Sequence, residues 1–285
     1  MKIRQWMLGG LMTLLATSAL ADTFTFTAIP DEDESRLNER FGKVADYLAE
    51  QLGVEVKYIP VKSYPAAITA FRNDQVQLAW FGGLSGVQAR ELVPGSTAIA
   101  QGYEDQFFKT YIIANVSTGL EASDEFPQGI KDKTFTFGSK GSTSGRLMPE
   151  FHIRENMGAP EDVFARVGFS GDHSRTVTQV ESGAYQVGAV NYSVYDNRVA
   201  EGKTDPDKVK VIWTTPTYPD YQWTIRGDVD ARYGEGFTQK VTDALLNMSD
   251  KDLLASFPRK SFVPASNDDY APIKATGEAI GLLGE

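Results

Sequence analysis

The chain has no cysteine among its 285 residues, which removes disulfides, thiolate nucleophiles and cysteine-based metal sites together. Histidine is nearly as scarce. Only His152 and His173 occur, far apart and without cysteine partners, so no metal site is expected. Clusters of Lys and Arg are also missing, and the formal net charge is −10. Nucleic acid and anionic membrane both demand concentrated positive charge and are excluded as partners. A small anion is not, because surface charge is screened beyond about 8 Å at physiological salt and local dipoles decide what a buried site prefers.

Long hydrophobic runs are confined to the N-terminus. Lys2 and Arg4 precede an apolar stretch from Trp6 to Leu20 that closes on Ala19-Leu20-Ala21. A charged start, an apolar middle and small residues at the end read as a cleavable secretory signal over residues 1–21. The stretch falls short of the roughly 18 to 20 uninterrupted apolar residues of a membrane anchor. The mature chain is therefore expected to be exported and soluble. With no cysteine to lipidate, an exported chain stays local only where a second membrane retains it, so a periplasmic address is expected, with secretion into the medium as the alternative.

The remainder is long enough for two compact units. Its hydrophobic period switches repeatedly between 2 and 3.6, as in an α/β protein. Thr23 to Ile29 alternates as a strand and runs into an acidic turn, Pro30-Asp31-Glu32-Asp33-Glu34, read as a solvated face rather than a docking patch. Leu37, Phe41, Val44, Leu48 and Leu52 recur at helical spacing, with Gly53 at a C-cap position. A second such unit begins at Ser63-Tyr64-Pro65 and leads to the strand Val76 to Phe81. Further strands are expected at residues 97–101, 110–116, 133–138, 187–192, 209–214 and 222–226. Helices are expected at 145–157, 174–182, 236–247, 249–257 and near 272–283. Tyr64 and His173 both open helices that lead to buried strands ending in an aromatic, an echo that suggests two lobes facing one cleft. Trp213 and Trp223 read as packing residues, and Thr214-Thr-Pro-Thr-Tyr-Pro219 as a crossing between lobes.

The segment Lys133 to Gly145 carries the chemistry: a strand runs into Gly141-Ser-Thr-Ser-Gly145 and then into a helical pattern. A helix N-terminus presents unpaired N–H groups and about half a positive charge. Ser142, Thr143 and Ser144 add hydroxyl donors, so an oxyanion can be surrounded without Lys or Arg. One hydroxyl would suffice as a cap; three in a row suggest a ligand. No glycine loop is followed by Gly-Lys-Ser or Gly-Lys-Thr, which removes a Walker-type nucleotide site, and the centre of the motif is Thr143, not the serine of a nucleophile elbow. His173, in Ser170-Gly-Asp-His-Ser174, can donate a hydrogen bond to an anion or simply cap a helix.

From about Thr23 to Pro264 the chain resembles the phosphonate-, phosphite- and phosphate-type substrate-binding proteins of ABC importers. Within them it is most similar to the branch described as selenate-binding. The residues that carry the likeness are Ile29-Pro-Asp-Glu-Asp-Glu-Ser-Arg36, Pro60-Val-Lys-Ser-Tyr64, Leu78-Ala-Trp-Phe-Gly-Gly-Leu-Ser85, Gly141 to Gly145 and Gly171-Asp-His173. The resemblance implies a type II periplasmic-binding fold, two α/β lobes joined by two crossing strands, with residues 22–114 plus 218–285 in one lobe and 115–217 in the other. It implies a monomer that binds rather than reacts, needs no cofactor or metal, has no catalytic residues and docks on permease subunits in the inner membrane. Carried over by motif, Tyr64, Trp80, Phe81 and Gly82 line the first lobe's wall, Tyr111 stands near the first crossing, and Ser142, Thr143, Ser144 and His173 hold the oxyanion, with Asn191 and Tyr192 at the end of a facing strand.

Asn191 departs from the acid that such relatives tend to place there. An amide donor in place of a carboxylate is expected to favour a fully deprotonated dianion such as selenate or sulfate over phosphite, phosphate and phosphonates, which retain a proton. A phosphonate or phosphite ligand is the alternative within the same importer type. A periplasmic phosphatase or sulfatase would also grip a tetrahedral anion, but no base or metal-ligand spacing accompanies the hydroxyls. The ligand domain of a transcription regulator would need a DNA-binding helix-turn-helix instead of a signal.

Overall fold

The computed structural model describes residues 22–284; the expected signal, residues 1–21, lies outside them. Strand β1 (Phe24–Ala28) leads into helix α1 (Glu34–Leu52), whose residues Leu37, Phe41, Val44, Leu48 and Leu52 all turn inward as their spacing predicts. The helix stops at Gly53, which takes φ 69° and donates its N–H to Ala49 O, a left-handed cap that costs glycine no Cβ clash. Strand β2 (Val56–Tyr58) and helix α2 (Tyr64–Arg72) follow, the latter capped by Ser63, whose side chain accepts from Ala66 N at 3.2 Å. Strand β3 (Leu78–Phe81) is buried throughout and passes into α3 (Gly83–Leu92), a helix that the glycine pair at its start hides in the sequence.

Strand β4 (Thr97–Gly102) completes the N-terminal half of the first sheet. The chain then crosses. Strand β5 (Thr110–Asn115) pairs with β8 (Val187–Asn191) and β9 (Val209–Thr214), while β6 (Thr134–Phe137) lies between β7 (Arg166–Phe169) and β8. Strands β10 (Gln222–Ile225) and β11 (Phe262–Pro264) return to the first sheet. The orders are β11-β4-β10-β3-β1-β2 and β7-β6-β8-β5-β9. Between the strands of the second sheet run α4 (Met148–Met157), α5 (Pro160–Val163), α6 (His173–Glu181) and α7 (Tyr192–Ala200). Strands β7 and β11 and helices α3 and α7 carry weak periodicity and were not expected; β7 and β11 are short edge strands, and β11 ends in the proline that edges tolerate.

The boundary drawn at residue 114 needs correction, because β5 already belongs to the second sheet from Thr110. The change of sheet falls at Phe108, which forms an antiparallel bridge with Tyr218: each N–H donates to the other's carbonyl at 2.9 Å. A run of β-forming residues looks the same whether or not its neighbours change, so only pairing reveals the switch. The return lies between β9 and β10, within and just after the Pro-rich segment read as a crossing. Trp223 is buried in the first core against Phe26, Phe41 and Trp80, and Trp213 packs on Phe126 and His152.

The first crossing is pinned by Arg259, whose guanidinium meets both carboxylate oxygens of buried Asp105 at 2.7 and 2.8 Å. Asp105 also accepts from Gly102 N through its side chain and from Asp220 N through its carbonyl. Removing one partner of a buried pair strands the other charge. Asp105→Ala is therefore expected to lower unfolding free energy by about 3 to 5 kcal/mol, measured by denaturant titration of the mature protein.

Candidate functional site

Parallel strands end where their helices begin, so the carboxyl ends of β1, β3, β6 and β8 deliver loops to one region between the sheets. After β6 the chain turns at Gly138, which donates to Gly145 O at 2.7 Å, and then forms one wide helical turn, Thr143–Leu147, with Leu147 N bonded to Ser142 O. Ser142 is the cap: its hydroxyl accepts from Gly145 N at 2.9 Å. The other two hydroxyls face different partners. Thr143 Oγ1 accepts from Leu84 N of the first lobe at 3.0 Å, and Ser144 Oγ lies 3.4 Å from His173 Nε2. All three residues are buried.

His173 is the first residue of α6. Its backbone N–H donates to Asp31 O at 2.9 Å, and its Nδ1 accepts from Asn191 N at 3.3 Å. An imidazole that accepts through Nδ1 carries its proton on Nε2. Complete burial pushes its pKa down to about 4, so the ring is a neutral donor directed at the hydroxyl row. Tyr64, the first residue of α2, is also buried, with its Cβ and ring against Gly141. The first turns of α2, α3, α6 and the Thr143–Leu147 turn thus converge from both lobes.

Gly82 is required by this approach. A Cβ there would lie 3.1 Å from Asp220 Oδ1 and 3.2 Å from Thr143 Oγ1, tighter than side chains normally pack.

Two acids that the sequence reading passed over complete the cluster. Asp31 belongs to the turn expected to be solvated, yet it is 4 % exposed, and its Oδ1 has no hydrogen-bond partner. Burial, reinforced by neighbouring Glu32 and opposed by Arg40, raises its pKa to about 6. Asp220 sits in the return crossing at 1 % exposure; Oδ1 accepts from Gly83 N at 2.9 Å, and Oδ2 is unpartnered. Burial raises it to about 7, against the pull of the Gly83 N–H and the Thr143 hydroxyl. Tyr221 follows, stacked on Trp80 at 5.5 Å, with its hydroxyl accepting from Asn191 Nδ2 at 3.2 Å.

The remaining expected site residues divide. Trp80 stands behind Tyr221 as part of the core, and Phe81 packs edge-on against Phe71 away from the cluster. Tyr111 points along the second sheet, where its hydroxyl donates to Asp196 at 3.3 Å. Tyr192 rests on Phe108 at the crossing. Asn191 caps α7: its Oδ1 accepts from Ser193 N and Val194 N. Its amide is spent on the cap and on Tyr221, and carboxylates enter from Asp31 and Asp220 instead. The preference for a dianion rested on Asn191 alone, and with its amide engaged on the cap and on Tyr221 and two buried acids nearby, that position does not support it. The sequence signals for the missed residues were an Asp directly after Ile-Pro at a strand end and an Asp-Tyr pair after Tyr218-Pro219.

A family model for the periplasmic phosphonate substrate-binding protein of ABC transporters matches residues 26–270. The chain belongs to this family of periplasmic ABC substrate-binding proteins. It is 40% identical over 265 residues to the probable ABC transporter phosphite binding protein PhnD1 of Prochlorococcus marinus, covering 90% of this chain and 89% of that one. The structure of PhnD1 in complex with methylphosphonate superposes with a TM-score of 0.88, covering 92% of this chain and 99% of that one. The phosphate-import protein PhnD of Mycolicibacterium smegmatis is 25% identical, covering 91% of this chain and 86% of that one. These relatives are binding proteins of importers, and the type II fold is shared with them. None is named for selenate or sulfate, and that specificity is not supported.

Asp220 makes stability depend on pH in a definite sense. Its folded pKa, about 7, lies above the ordinary 3.8, so between these values the folded state binds more protons than the unfolded one. Its contribution is full below the lower value and is lost as pH rises through about 7. Wild type minus Asp220→Asn unfolding free energy is therefore expected to grow as pH falls from 8 to 5, measured by denaturant titration of the ligand-free proteins at each pH.

Proposed function

We propose that this chain is the exported substrate-binding component of an ABC importer and that it closes on the monoprotonated anion of phosphite or a small phosphonate. The observation that carries this reading is the pair of buried carboxylate oxygens, Asp31 Oδ1 and Asp220 Oδ2, without partners beside a row of hydroxyl donors. An unpaired buried acceptor costs roughly 1 to 3 kcal/mol. A ligand that brings one P–OH proton can satisfy one of these oxygens, whereas sulfate and selenate bring none.

In this reading the ligand's unprotonated oxygens receive the hydroxyls of Tyr64, Thr143 and Ser144, the Nε2–H of His173 and backbone N–H groups at the helix starts. Ser142 and Gly82 shape the site, and Trp80 holds Tyr221. Charge-assisted bonds of this kind are worth on the order of 1.5 to 3 kcal/mol each, enough in number to hold an anion without a lysine or arginine. The name of the Prochlorococcus marinus relative supports phosphite, and its complex with methylphosphonate supports a small substituent on phosphorus. Export through the N-terminal signal, a monomeric state and delivery to inner-membrane permease subunits complete the proposal.

The test is calorimetry of the mature protein with phosphite, methylphosphonate, phosphate, sulfate and selenate. Phosphite and methylphosphonate are expected to bind at least tenfold more tightly than sulfate or selenate, and phosphite affinity to fall as rising pH removes the ligand's remaining proton. Asp220→Asn is expected to narrow the gap. Equal or tighter binding of sulfate by the wild type would overturn the assignment of the ligand.

A further inference from the structure

The acidic turn after β1 gives each of its members a different task. Asp31 faces the site. Glu32, nearly buried, pairs with Arg40 at 2.7 Å and lies 3.7 Å from Arg36. Arg40 is itself fixed by donation to Ser256 O. Arg36, one turn into α1, reaches across the cleft mouth to Glu201 at the end of α7, with both carboxylate oxygens engaged by one nitrogen. Asp33 lies 3.9 Å from Arg198 of the same second-lobe helix.

The second-lobe partners are held in place. Arg198 donates to Thr204 Oγ1 and Lys203 O, and Lys203 meets Glu201 at 2.9 Å. Arg36 and Lys203 together hold the Glu201 carboxyl below its ordinary range.

We propose that Arg36–Glu201 and Asp33–Arg198 form an electrostatic clasp across the cleft mouth that sets how long the closed clamp retains its ligand. Asp33 lies in the same five-residue turn as Asp31 and Arg36 follows it in the first turn of α1, so seating of the ligand and alignment of the clasp share one stretch of backbone. The proposal rests on the clamp reading above. Because the clasp pairs are part-exposed, each acts modestly: pairs of this kind shift equilibria by roughly one- to fivefold, and more at low salt. They touch no ligand atom, so they act on release rather than on selectivity.

The absence of native cysteine permits a clean test. Glu50→Cys on the first lobe and Lys131→Cys on the second, both exposed, carry a fluorophore pair that reports lobe separation. Reopening is followed by stopped-flow after phosphite-loaded protein is mixed with excess unlabelled protein. Arg36→Gln with Asp33→Asn is expected to raise the reopening rate about three- to tenfold with little change in the ranking of anions. Arg36→Glu combined with Glu201→Arg is expected to recover much of what Arg36→Glu loses. Raising salt to 0.5 M is expected to speed reopening of the parent but not of the neutralised variant. Reopening rates equal to the parent's in the neutralised variant, or no recovery in the charge swap, would overturn the clasp. A label distance that responds to none of the panel anions would overturn the clamp reading itself.

Discussion

Two carboxyl groups, Asp31 and Asp220, are held out of water with one oxygen each unpaired, at the point where helix N-termini from both sheets meet. Desolvating acids in this way is costly, and the surrounding structure is arranged to bear it. Gly83 N–H binds one oxygen of Asp220, Tyr221 stands beside Asp31, and both acids have pKa values raised toward neutrality. A pair of acceptors so disposed is unfavourable for a bare dianion and favourable for an anion that still carries a proton. The proposed preference for a proton-bearing anion rests on that single constraint.

The rest of the fold serves to bring these groups within reach. Two sheets that share no strand are connected through the Phe108–Tyr218 bridge, with the Arg259–Asp105 pair behind it. Asp220 hangs from that junction by its N–H to Asp105 O, so the junction and the candidate site share one piece of backbone. Thr143 approaches the start of α3, and the absence of a side chain at Gly82 leaves room for it. The hydroxyl row therefore has a mixed role: Ser142 maintains the turn, Thr143 contacts the opposite lobe, and Ser144 meets the neutral imidazole of His173.

Family membership and local chemistry agree on a small anionic ligand, and local chemistry shows why position 191 does not support a dianion. Asn191 reads as a free amide donor in a one-dimensional comparison, but its side chain is consumed by the first turn of α7 and by Tyr221. The acids come from two other stretches of chain, 189 residues apart in numbering (220 − 31). Substituting one position in a motif changes a site's charge only if no other segment supplies the same group.

What the sequence by itself determined was the set of local structures: the amphipathic period of α1, the Ser63 cap of α2, the Gly53 stop, strands β1, β3 to β6 and β8 to β10, and the hydroxyl cluster at a helix start. These depend on neighbours within a few residues, which composition and spacing record. Tyr64, the Ser142–Ser144 row and His173 each sit at the beginning of an element with its own signal, whereas Gly82 entered only through the resemblance, because the helix it opens carries none. Tertiary structure alone decided the rest. The edge strands β7 and β11 carry no local pattern that sets them apart, and the change of sheet at Phe108 depends on pairing partners distant in the chain. The acidic turn looked solvated because charge usually is, and the burial of Asp31 results from the approach of a second lobe that no local pattern encodes. Which acids face the site, and which only look as though they face water, is fixed by long-range packing.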